Sequence, residues 1–118
     1  MTTAILNTII IYAKDMQRTA LFYQQHFGLI STGEIVDGLI ELSAESGVQI
    51  LIHQAAKSIK LGQVAVKLSF SVTDVEQFIQ QSTLNFGKIH QANGYQFANS
   101  KDPDGNLISI SSRAYRVQ

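Results

Sequence analysis

Apolar and polar positions along this chain change period several times, and each change marks an element. Ile9-Ile10-Ile11-Tyr12 is a short apolar run without alternation, the pattern of a strand buried on both faces. After Asp15 the apolar side chains space out. Met16, Thr19, Ala20, Phe22, Tyr23 and Phe27 fall close to i, i+3, i+4, i+7, which predicts a one-faced helix. After Asp74, Val75, Phe78, Ile79 and Ser82 do likewise. Asp15 and Asp74 suit N-caps, because a short carboxylate accepts the unpaired N–H groups of a first helical turn. Gly28 and Gly87 suit the left-handed position that ends a helix. Strands are expected over 30–35, 39–42 and 48–53 after the first helix. A β-like run, 68–72, precedes the second helix, and strands over 88–90, 95–99 and 107–112 follow it.

The pattern repeats. Asp15 precedes Phe27-Gly28 and Asp74 precedes Phe86-Gly87 by the same number of residues, so the period is near 74 − 15 = 59. Two copies at so long a period point to a duplicated unit within one α+β domain, 1–118, and not to a solenoid. Module one covers about 1–56 and module two about 64–118. The linker, about 54–63, carries two lysines, a serine and a glycine.

Composition narrows the function classes. Hydrophobic residues make up 45% and charged residues 15% of 118 residues, enough for a packed core. The formal net charge is zero, so no field of one sign is offered to nucleic acid or to an anionic membrane. No apolar run near the start is long enough to span a bilayer, and none has the flanks of a signal peptide. A cytoplasmic location is expected. Cysteine is absent, which removes thiolate nucleophiles and Cys-type zinc sites.

A strand, an aspartate, a helix carrying Phe22-Tyr23, then Phe27-Gly28-Leu29, and finally Asp102-Pro103-Asp104-Gly105-Asn106 before a last strand, resemble the glyoxalase/bleomycin-resistance/dioxygenase (vicinal oxygen chelate) superfamily over nearly the whole chain. The resemblance implies two tandem βαβββ modules, a cup-shaped mixed sheet with helices outside, a small-molecule ligand in the cup, and a homodimer. Members include metal-dependent lyases, isomerases and dioxygenases as well as metal-free drug-sequestering proteins.

Strand alternation supplies candidate ligand residues. Val66, Leu68, Phe70 and Val72 must cover a helix, which turns Lys67, Ser69 and Ser71 inward. Ile108 and Ile110 likewise leave Ser109, Ser111 and Arg113 inward. Leu39 and Glu41 oppose Ile40 and Leu42. Tyr95 and Phe97 share the inward face, and the family register adds Thr8, Ile10 and Tyr12. His53 alternates with Ile52 and is expected on the outer face. His26 and His90 are read as structural or solvated.

The resemblance also implies four positions where metal-dependent members place His, Glu or Gln. They fall here on Thr8, Ile50 (to within one residue), Lys67 and Ser109, which supply neither imidazole nor carboxylate. No metal and no other cofactor is therefore expected. Asp102-x-Asp104-x-Asn106 resembles the start of a calcium loop, but its glycine comes one position early and no Glu closes it, so it is read as a turn. Thr8, Tyr12, Glu41, Ile50, Lys67, Ser69, Tyr95, Phe97, Ser109, Ser111 and Arg113 are the expected ligand residues. The expected function is metal-free binding of a small molecule, a toxic compound or antibiotic, and Lys67 with Arg113 suits a neutral or anionic one. The alternative is a glyoxalase-like lyase or isomerase with an atypical metal site or with Glu41 as general base.

Overall fold

The computed structural model describes residues 3–117. The chain divides into two compact units, residues 1–61 and 62–118. In the first, β1 (Thr8–Ala13) leads into α1 (Met16–Phe27), then β2 (Leu39–Leu42) and β3 (Gln49–Gln54). In the second, β4 (Lys67–Ser71) leads into α2 (Val75–Gln81), then β5 (His90–Ala92), β6 (Tyr95–Lys101) and β7 (Leu107–Ser111). The plans match. The first sheet has the order β1-β3-β2 and the second β4-β7-β6-β5. In each, the strand before the helix pairs in parallel with the unit's last strand, and the remaining pairs are antiparallel. The molecule is thus a mixed α+β protein.

Local chemistry explains the elements. The Asp15 carboxylate accepts from Arg18 N–H at 3.1 Å, and α1 closes on Gly28 at φ 69°, whose N–H returns to the Gln24 carbonyl. One stripe of α1 is buried, Met16, Thr19, Ala20 and Tyr23, over Ile40, Leu42, Ile50 and Ile52 of the first sheet. Full burial of such side chains contributes roughly 1.5–3 kcal/mol each, so this layer dominates the unit's stability. In the second unit Val75, Ala98, Ile108 and Ile110 form the buried apolar set.

The strand expected over 88–90 lies at His90–Ala92 instead, and two larger expectations fail. Residues 30–35 do not form a strand. Ile30 bridges Ser43 and Val36 bridges Leu39, and between these points the segment leaves the ladder. Gly33 at φ 77° breaks the extended run, and the Ser31 and Thr32 hydroxyls accept from Gly33 and Glu34 N–H, an alternative to sheet pairing. Asp37 and Gly38, both at positive φ, then close a tight turn into β2. The second failure is Gly87, which does not cap a helix. α2 stops at Gln81 on an extended Ser82, whose hydroxyl accepts from Leu84 N–H. Gly87 N–H instead donates to the Asn99 carbonyl at 2.9 Å.

The turn at Asp102 forms as expected. Gly105 N–H donates to the Asp102 carbonyl, and the buried Asp102 carboxylate accepts from Asp104 N–H, Asn106 N–H and the Asn106 amide, each at 2.9 Å. Asp102 is spent on holding the turn in shape.

Candidate functional site

The second sheet carries most of the candidate side chains on one face. Pairing aligns them in rows. Lys67, Leu107 and Lys101 form the first, Ser69, Ser109 and Asn99 the second, and Ser71, Ser111, Phe97 and His90 the third. The opposite face holds Leu68, Phe70, Ala98, Ile108 and Ile110, with buried Ala98, Ile108 and Ile110 packed in the core. Four serines on the adjacent strands β4 and β7 share this face. Ser69 and Ser71 are exposed, Ser111 half-buried and Ser109 buried, and the first three make a low, hydroxyl-bearing floor. Strands β6 and β5 raise a wall of rings beside it.

The wall is ordered. His90 stacks on Phe97 with ring centroids 4.8 Å apart and planes 16° from parallel. Tyr95 lies 6.4 Å from Phe97. The Lys67 ammonium donates to Asn99 Oδ1 at 2.9 Å and sits 5.6 Å from the centre of the Phe97 ring. Because β7 lies between β4 and β6, this bond crosses the middle strand, where Ser109 is only 3% exposed. Arg113 follows β7 in a short 3-10 turn, its guanidinium 6.0 Å from the centre of Tyr95. Cations over ring faces at such distances attract, by about 0.5–1 kcal/mol at exposed sites.

The first sheet turns Thr8, Ile10 and Tyr12 of β1, Leu51 and His53 of β3, and Leu39 and Glu41 of β2 away from the helix. Two placements here correct the sequence reading. Ile50 is 4% exposed and lies on the helix-covered face with Ile52, so it does not share the face of Thr8 and Tyr12. Leu51 takes that place. His53, expected on the outer face, stands beside Tyr12 with ring centroids 5.1 Å apart. The register is one residue from that assumed, and a one-residue slip exchanges the two faces of a strand. Glu41 is exposed and borders a groove of about 620 Å³, opened where segment 30–37 bulges away from β2. Ile30, Val36, Leu39 and Leu51 give this groove apolar walls, with Glu34 and Asp37 at its edge.

Sequence reasoning missed His90 and Asn99. Both were accessible. Asn99 shares the alternation of Tyr95 and Phe97. His90 follows from the two-residue turn Asn93-Gly94, which pairs Ala92 with Tyr95 and hence His90 with Phe97.

The residues do not fit the metal that the resemblance would bring. Thr8, Lys67 and Ser109 stand at three of the four positions, and neither Ile50 nor Leu51 donates at the fourth. Lys67 places an ammonium where a cation would have to bind. Among the described residues no three His, Asp or Glu side chains gather as a metal-holding group. No helix among them is long and apolar enough to cross a membrane.

Solved structures share this fold. Over 93% of this chain and 96% of theirs, the likeness to TnmS3, an antibiotic binding protein from Streptomyces sp. CB03234, has a TM-score of 0.74 at 15% identity. UcmS2 gives 0.75 at 16% identity over 94% and 99%. Lactoylglutathione lyase from Agrobacterium tumefaciens gives 0.70 at 16% over 93% and 94%. At such identities the likeness establishes the fold alone. No curated protein sequence matches the chain significantly. The sequence profile of one family matches residues 5–110, nearly the whole chain and both units. With the repeated strand-helix-strand plan, this establishes that the chain belongs to the Glyoxalase/Bleomycin resistance protein/Dioxygenase superfamily.

Proposed function

We propose that this protein binds a small organic molecule without a metal ion, in the manner of the family's sequestering members and not of its lyases. The observation that carries the reading is the ring wall of Phe97, His90 and Tyr95 beside a floor of Ser69, Ser71 and Ser111. Apolar ring area supplies affinity and a few placed polar groups supply orientation, the usual division in ligand sites. Ser69, Ser71, Ser111, Tyr95, Phe97, Lys67 and Arg113 are the proposed contacts. Thr8, Tyr12 and Glu41, on the helix-free face of the first sheet, are proposed as further ligand residues. The donor set at the four family positions supports the metal-free part. The antibiotic-binding title of TnmS3 supports the class of activity.

Calorimetric titration with nickel, zinc, manganese and ferrous iron should show no tight stoichiometric binding. A ligand screen by NMR, with flat aromatic compounds of each charge type, should shift resonances of residues 90–113. Tight binding of any of these metals would sink the metal-free reading. Hits that shift only residues distant from both sheets would sink the assignment of the site.

A further inference from the structure

We propose that the helix-free face of the second sheet takes a flat aromatic anion, its ring against the Phe97–His90 stack and its oxyanion group on the Lys67 ammonium. The proposal rests on the binding role above and names the ligand class for that face.

Charge is the first ground. The four strands of this sheet, KLSFS, HQA, YQFANSK and LISIS, contain no Asp or Glu. The charged groups on the face are Lys67 and Lys101, in one row, with Arg113 over Tyr95 beyond the third. An anion on the floor meets attraction from both ends and no carboxylate from these strands. A ligand cation would be repelled from the same positions.

Shape is the second. Serines at 69, 71 and 111 leave low ground two strands wide, about 5 Å between strands, beside the Lys67–Asn99 bond that passes over buried Ser109. The rings of β6 and β5 bound it on one side. A flat ring beside this ground gains apolar contact from the wall, and its polar substituents can meet the serine hydroxyls. An inorganic anion would lack the ring contact and would depend on hydroxyls and on exposed cations that salt screens.

Preorganisation is the third. The bond from Lys67 to Asn99 holds the ammonium over the middle strand. One of its three N–H donors is used there, and two remain for an oxyanion. Hydrogen bonds to charged groups are the stronger kind, so most of the discrimination between ligands should come from this residue.

The test uses three probes of one shape: 2-naphthoate, 2-naphthamide and 2-(aminomethyl)naphthalene, titrated calorimetrically at low salt. The carboxylate should bind about tenfold or more tightly than the amide, and the ammonium compound most weakly. Lys67→Met should bring the carboxylate down to the level of the amide and leave the amide unchanged. Phe97→Ala should weaken both. Higher salt should weaken the carboxylate alone. Equal binding of carboxylate and amide, both weakened by Phe97→Ala, would overturn the ligand class and leave the binding role standing. Failure of all three to bind a protein whose circular dichroism shows it folded would overturn the binding role itself.

Discussion

Side chains of one type do different work in this chain, according to what surrounds them. Asp15 and Asp74 each accept a single N–H at a helix start, at 3.1 and 3.0 Å, in exposed surroundings. Asp102 is 5% exposed and accepts three hydrogen bonds inside its own turn. Removing it leaves two backbone N–H groups without their acceptor in a part-buried place. Asp102→Ala should therefore cost about 1–3 kcal/mol of stability, against about 1 kcal/mol for Asp15→Ala. Urea denaturation of the two variants would compare them, and equal losses would show that the turn does not depend on its carboxylate. The histidines diverge in the same way. His26 packs on Phe22 along α1, whereas His53 and His90 stand beside aromatic residues on the helix-free faces of their sheets.

Among the elements, the segment 30–37 departs most from expectation. Its apolar residues have strand propensity, but Gly33 and the hydroxyls of Ser31 and Thr32 draw the middle off the ladder. Backbone bonds remain only at its ends, Ile30 with Ser43 and Val36 with Leu39. Amide exchange should follow that division. Ile30 and Val36 should be protected, and Glu34 and Ile35 should exchange quickly. Uniform protection over 30–36 would mean that a continuous strand forms in solution. The groove beside β2 exists because of this bulge, so a straightened strand would also narrow it. The helices show the converse case. α1 runs its full expected length because its buried stripe continues to the Phe22-Tyr23 pair and Gly28 stops it. α2 loses its apolar spacing after Ile79, and the Ser82 hydroxyl provides a competing local bond.

On the scale of the whole molecule, a zero net charge coexists with uneven placement of charge. The helix-free face of the second sheet is basic, and the groove of the first unit is edged by Glu34, Asp37 and Glu41. Several large apolar side chains remain exposed, including Ile5 at 84% and Val64 at 67%. Isolated apolar residues on a surface are ordinary, but this many invite a partner. We expect a homodimer. Sedimentation equilibrium at micromolar concentration should return twice the 13.0 kDa chain mass, and a monomer under those conditions would remove the expectation.

What the sequence determined by itself was local. Cap residues, apolar spacing and the Asp-Pro-Asp-Gly turn each act through neighbours a few positions away, so α1, the start of α2 and the turn at Asp102 were legible from residue order. The repeat, at a spacing of 59, fixed the duplicated plan. Strands whose faces differ in polarity were legible too: Lys67, Ser69 and Ser71 stand opposite Leu68 and Phe70 as alternation requires. The stretch 48–54 was not, because Ile50, Leu51 and Ile52 are apolar on both faces, and no local pattern says which of them meets the helix. That choice belongs to the pairing of β3 with β1 and β2, which buries Ile50 and Ile52 and turns Leu51 and His53 the other way. The stack of His90 on Phe97 and the reach of Lys67 to Asn99 also depend on which strands become neighbours. Residues 67 and 99 are brought together only when β7 lies down between their strands, and that is a decision of the tertiary structure.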